Sequence, residues 1–308
     1  MKKAFENARR FVYRHARPLD LALWQFHFEG GSAEQVLDRL SVYQNEDGGF
    51  GYELEPDFWN PHSTPLATWA AAETLREIGW TDASHPMVRG ILRYLDSGAD
   101  FDAEHHQWLN VVPGNNEHPS AIWWRWTDKG SEFKYNPTAA LAGFGLRFAK
   151  PQSALYEKCV RMAQEAVRWL ENEAPFGEQH ITTCFIALYE HCLAIHADFL
   201  DMESFRDVLV RQVNHVICRE PEKWFAEYMP KPSEFIKSRG SLFLPGNEKL
   251  VEQECALLLQ VQDADGGYPV TWKWWTEYDR EFAISANWWR VKFAIENMRF
   301  LRAFTGAV

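Results

Sequence analysis

One short turn is written twice in this chain. "QNEDGGFG" at 44–51 and "QDADGGYP" at 262–269 share Gln, three residues, Gly, one residue and an aromatic, at a separation of 262 − 44 = 218 positions. Each copy follows an apolar-periodic run, "VLDRLSVY" or "ECALLLQV", and precedes an acidic, aromatic stretch. Both are therefore predicted to join one helix to the next. Asp47-Gly48-Gly49 and Asp265-Gly266-Gly267 supply residues that tolerate positive φ. Gln44 and Gln262 can donate to exposed backbone groups at a neighbouring helix end, and Phe50 and Tyr268 are expected to pack against those helices. A helix–turn–helix unit cannot bury its apolar face alone, so recurring units stack into a continuous core.

The rest of the chain is helical in period. Residues 32–43 open with Ser32 and Gln35 in a capping-box arrangement and then place Val36, Leu37, Leu40 and Tyr43 on one face. A second helix is predicted over 63–78, with Ser63 as N-cap, Pro65 in the first turn and Gly79 as the stop. Three-or-four spacing continues through Leu155, Cys159, Met162, Ala166 and Leu170, then through Ile181, Phe185, Leu188, Cys192 and Ile195. It resumes at Phe205, Leu209, Val213 and Val216, and a last long helix is predicted over 282–305. Strand signals are few; the best is "AIWWRW" at 121–126, which reads as a short hairpin arm. The chain is predicted to be all-α.

Two intervals break this period. Residues 97–136 and 219–247 are long and punctuated by Pro and Gly, yet heavy in Trp, Tyr and Phe, which argues against disorder. Such loops are either elaborated surface or functional.

Charge and cysteine usage exclude several classes. Lys plus Arg number 32 against 43 Asp plus Glu, a balance of −11, so the overall field repels nucleic acid and anionic membrane. No run approaches the roughly 18 apolar residues of a membrane span, and the first residues lack an apolar leader core. Cys159, Cys184, Cys192, Cys218 and Cys255 are odd in number and show no CxxC spacing, which suits a reducing cytoplasm. A cytoplasmic location is expected.

With the two turns in hand, a resemblance can be stated. Their spacing is similar to the QW motif of the terpenoid cyclase and protein prenyltransferase superfamily, with Phe50 and Tyr268 where that motif has Trp. More narrowly, "DGGFGYELEPDFWNPHSTPLATWAA" resembles the bacterial prenyltransferase and squalene-oxidase repeat proteins. The resemblance implies a single α/α toroid over 1–308, with inner helices around a central cavity, outer helices around them, and two long aromatic-rich loops. It supplies no catalytic residue: the sequence has no DxDD acid, no DDxxD for magnesium and diphosphate, and no Asp-x-Cys to begin a zinc site.

Candidate chemistry is read from the residues themselves. In "GYELEPDFWNPHSTP", Glu53, Glu55 and Asp57 stand at successive i, i+2 positions, so in an extended backbone their carboxylates converge. Crowded like charges raise one another's pKa and can hold a proton for acid catalysis, especially when walled by Phe58 and Trp59. The same stretch also reads as a solvated acidic loop near a helix N-terminus. His62, just beyond it, is the acid–base candidate among the histidines. His105, His106 and His118 form a denser patch, but adjacent histidines diverge and no HExxH accompanies them, so no metal or other cofactor is expected. Trp123, Trp124 and Trp126 from the first loop, and Trp224, Glu227 and Tyr228 from the second, together with Trp59 and Trp272, are the candidate ligand-binding residues. Trp272, Trp274 and Trp275 serve equally as filling between helices.

Three functions fit this pattern. The first is a protein that binds, and if catalytic transforms, an apolar or isoprenoid-like small molecule in an aromatic, acid-bearing cavity. The second is a carbohydrate-active α/α barrel using a carboxylate pair. The third is a non-catalytic interaction scaffold.

Overall fold

The computed structural model of the protein describes residues 1–306. It is all-α. The helices are α1 (Lys2–His15), α2 (Pro18–Phe28), α3 (Ala33–Leu40), α4 (Pro65–Glu77), α5 (Pro86–Ser97), α6 (Thr138–Phe148), α7 (Ala154–Glu173), α8 (Gln179–Ala194), α9 (Met202–Val216), α10 (Pro232–Phe235), α11 (Glu248–Val261) and α12 (Asp279–Thr305). Among the described residues, strand is confined to β1 (Phe101–Asp102) and β2 (Gln107–Trp108), antiparallel with Phe101 opposite Trp108.

Of the two predicted N-caps one holds and one shifts by a residue, and the last helix begins at Asp279 rather than 282. Gln35 N–H donates to Ser32 Oγ at 3.3 Å and Ser32 N–H to Gln35 Oε1 at 3.2 Å, the expected capping box. At α4 the cap is Thr64 rather than Ser63: Thr64 Oγ1 accepts from Ala67 N–H at 3.1 Å. Ser63 is engaged elsewhere, its hydroxyl donating to Asp47 Oδ1 at 2.7 Å. The hairpin arm predicted at 121–126 is instead a single 3-10 turn, Ile122–Trp124, closed by Trp124 N–H on Ala121 O at 3.0 Å. Its β-branched and aromatic residues suit a pleat, but the sequence supplies no second run to pair with them.

The chain gathers into two compact units, Met1–Arg39 with the stretch from Val213 onward, and Leu40–Gln212. In the second, α6 buries ten of its eleven residues, a helix apolar on all sides. Gly143 lets α8 approach closely and Gly145 does the same for α7, while α4 and α5 also lie against α6. α5 and α7 bury one face only, through Val88, Ile91 and Leu95 and through Cys159, Met162, Ala166 and Leu170. The first unit pairs α12 with α1, α2 and α11.

Each unit contains one copy of the repeated turn, and each copy docks on a helix in the same register. In the second unit, Gln44 Nε2 donates to Gly48 O at 2.9 Å and to Met87 O, in the first turn of α5, at 3.1 Å. In the first unit, Gln262 Nε2 donates to Gly266 O at 3.1 Å and to Ala4 O, in the first turn of α1, at 3.0 Å. The central glycines, Gly48 (φ +96) and Gly266 (φ +103), lie against the backbone three residues further on. A Cβ would stand 2.1 Å from Gly90 O in the one case and 2.2 Å from Asn7 O in the other. Seven residues past the accepting carbonyl, Tyr94 and Phe11 cover the second glycine of each turn. Phe50 and Tyr268 are buried, at 0% and 1% exposure.

The two turns differ in how their acids are held. Asp47 is tied to Ser63, whereas Asp263 and Asp265 are bridged by Arg290 Nη2 of α12 at 2.9 and 2.8 Å. The same guanidinium lies 4.7 Å from the Phe11 ring centroid, so one side chain staples turn, α12 and α1.

Glycine is required at these turns for two reasons at once, positive φ and zero clearance. Gly48→Ala and Gly266→Ala are each expected to cost roughly 3 kcal/mol or more, the sum of backbone strain and overpacking. Gly79, at φ +68 but with open space where a Cβ would go, is the control: Gly79→Ala is expected to cost only about 1 kcal/mol. Urea denaturation of the three variants checks the ranking.

Candidate functional site

The acidic connector is fixed by the first long loop. Trp59 N–H donates to Pro119 O at 2.9 Å and Ala121 N–H to Asp57 O at 2.8 Å, an isolated antiparallel bridge centred on Phe58 and Ser120. Behind the bridge runs a relay of amides. His62 N–H donates to Asn60 Oδ1, Asn60 Nδ2 to Asn115 Oδ1 and Asn115 Nδ2 to Trp124 O, each at 3.0 Å. Asn60 and Asn115 are both 2% exposed, so the relay settles polar groups that would otherwise be costly to bury. It joins residues 57–62 and 113–126 into one surface.

The connector is not extended, which corrects the basis on which its carboxylates were expected to converge. Tyr52 takes φ +59, and the Glu55 carboxylate turns back to accept Asp57 N–H at 2.7 Å. Local side-chain to backbone bonding competes with extended chain, and here it prevails. The three acids are thereby separated in environment. Glu53 and Glu55 are half-buried, while Asp57 is 3% exposed. Beside Asp57 the Phe58 ring, itself buried, meets the Trp124 ring edge-on at 5.8 Å. Trp59 is half-buried with its Nε1–H on Pro56 O at 3.0 Å. His62 is exposed, its ring 6.1 Å from that of His118, which the first loop brings up. Trp123 is exposed, and Trp126 is held through Asn116, which exchanges two hydrogen bonds with its backbone. Thus Asp57, Trp59, His62 and Trp124 of the predicted set share one neighbourhood.

The second-loop candidates lie in the other compact unit. Trp224 is buried at 1% exposure and its Nε1–H donates to Cys218 O at 2.8 Å, so it packs the loop against itself. Glu227 is exposed. Tyr228, half exposed, and Trp272 do meet: their rings stand 5.3 Å apart at 79°, and Trp272 also meets Trp289 at 5.3 Å and Phe293 at 5.8 Å. Edge-to-face aromatic groupings of this kind add to simple burial. Trp289 and Phe293 were missed by the sequence reading, although their i, i+4 spacing on α12 was visible.

A further buried group was also missed. Glu254 of α11 is fully buried, and it accepts Ser233 N–H at 2.8 Å and Ser233 Oγ–H at 2.5 Å. Burial pushes its carboxyl up to about 7, although Lys231 and Ser233 pull it back. Its signal in the sequence was an acid among Val251, Cys255 and Leu258 on one apolar stripe. Among the described residues, no group of three or more His, Cys, Asp and Glu side chains is arranged to hold a metal ion.

A crystal structure of a protein from Actinoplanes is similar to this chain over 99% of each, with a TM-score of 0.56 at 13% identity. At that identity the likeness shows the fold alone. No family model matches the sequence, and no curated protein matches it.

The Glu254 carboxyl sets a pH dependence. Its folded pKa of about 7 lies above the ordinary 4.5, so the folded state binds the extra proton. The resulting stability is fully present below about 4.5 and is lost as pH rises through 7, an effect on the order of 3 kcal/mol. Urea denaturation at pH 5 and pH 8 should therefore show wild type losing more stability than Glu254→Gln, whose amide keeps the shape without titrating. Parallel losses in both proteins would remove Glu254 as the cause.

Proposed function

We propose that this protein binds an apolar, isoprenoid-like small molecule at the surface formed by residues 57–62 and 113–126. The observation that carries the reading is Asp57, a carboxylate 3% exposed, in the stretch whose next residue, Phe58, pairs its ring with Trp124. A shielded polar group in an aromatic stretch is the usual make-up of a small-molecule site, in which a few polar groups orient a largely apolar ligand. Aromatic faces stabilise positive charge, and a shielded carboxyl can deliver or accept a proton; both suit a ligand of carbon and hydrogen that develops cationic character. The His62 and His118 rings, 6.1 Å apart, stand at the margin of this surface.

The α/α toroid implied by the sequence resemblance is part of this proposal, as is a cytoplasmic location. Glu55 is given a positioning part within it, because its carboxylate holds the Asp57 backbone.

Farnesol, squalene and cellotetraose, tested in parallel by thermal shift and native mass spectrometry, separate the readings. Farnesol or squalene is expected to raise the melting temperature of wild type by a few degrees. Asp57→Asn should lose at least half of that shift while its unliganded melting temperature changes little. A response to cellotetraose alone would assign the site to sugar instead. No response to any of the three, or an unchanged response in Asp57→Asn, would contradict the proposal.

A further inference from the structure

The two glycine turns match beyond their own residues. From Met87 to Gly90 to Tyr94, and from Ala4 to Asn7 to Phe11, the contacted positions step by three and then by four. The elements around them match as well. α4 and α5 each lie against α6, and α12 and α1 each lie against α2. α4 is followed by Gly79 at φ +68 and α12 by Gly306 at φ +68, both in open space. α12 is longer, 27 residues against 13, and runs along more of its partner helix.

We infer that α4, α5 and α6 recur as α12, α1 and α2, one structural block written a second time with its order cyclically shifted. In the first copy the chain runs turn, α4, α5, α6 in that order, with the first long loop between α5 and α6. In the second it runs α1, α2 at one end of the sequence and turn, α12 at the other. The clasp that joins them, Gln262 on Ala4 O, spans 258 positions. The corner from α12 to α1 is then the counterpart of the corner from α4 to α5, which is 86 − 77 − 1 = 8 residues long. This inference does not depend on any ligand. It says that α1 belongs with α12 as one folding block, and that a peptide of ordinary corner length suffices to connect them.

The test uses the full chain. A backbone-cyclised protein, its ends joined through a short linker of about four added residues, should close as a monomer. With its loop entropy reduced, it should melt above the linear chain. A permutant carrying the same linker, opened between Asp82 and Ala83, should fold with the helical circular dichroism of wild type and one cooperative transition. Cyclisation that yields only end-to-end oligomers, or a circular monomer that melts below the linear chain, would overturn the inference. So would a permutant that fails to fold while the circular protein is stable, because the two corners would not then be equivalent.

Discussion

The architecture depends on a glutamine amide that bridges a turn to a helix. Gln44 and Gln262 each donate twice, once across their own glycine turn and once to a carbonyl in the first turn of the docked helix. Each bond contributes only on the order of 1 kcal/mol net. Their importance is geometric: they fix where along the helix the turn sits. Glycine then allows backbone to meet backbone at a distance that no other residue permits, and Tyr94 or Phe11 closes the contact. Apolar packing of α4 against α6, or of α12 against α2, follows from that register, since sliding a helix by one residue would rotate its buried stripe out of the core.

The same constraint positions the candidate site. The connector that leaves the first turn cannot drift, because Phe50 is buried and Phe50 N–H is held by Thr68 Oγ1 at 3.1 Å. Eight residues later it meets the first long loop at Phe58. Asp57 is carried into a buried position between these two anchors, and the Asn60–Asn115 relay keeps the loop in place. Tyr52 takes a positive φ where the chain leaves the turn, a local strain within the connector. The aromatic grouping of Tyr228, Trp272, Trp289 and Phe293 is built by the second long loop, the stretch that follows the second turn, and α12, within one unit.

Helix existence was legible in the sequence because long amphipathic periods leave little alternative, and the role of both glutamines followed from spacing alone. Thr64 took the cap in place of Ser63 because Asp47 competes for the serine hydroxyl, a contact between segments that no local rule reports. The hairpin arm at 121–126 failed for a related reason: β propensity describes a surface that fits a sheet, and no sheet is offered there. At the site, residue types were readable but their environments were not. Glu53, Glu55 and Asp57 look alike in sequence, yet the Glu55 side chain bonds to the backbone and Asp57 alone is buried. That separation arises from Pro119 and Ala121, more than sixty positions downstream. Glu254 was the opposite case, since an acid on an apolar stripe was visible but its partner, Ser233, lay in an irregular interval.

Native-state hydrogen exchange on Gln44→Ala and Gln262→Ala tests the central claim, that each glutamine clasps one helix. Loss of Gln262 should speed exchange of the α1 amides roughly tenfold, the factor that about 1.4 kcal/mol represents, and leave α5 protected. Loss of Gln44 should do the reverse to a similar extent. Exchange that quickens evenly across both helices, or in neither, would contradict the account.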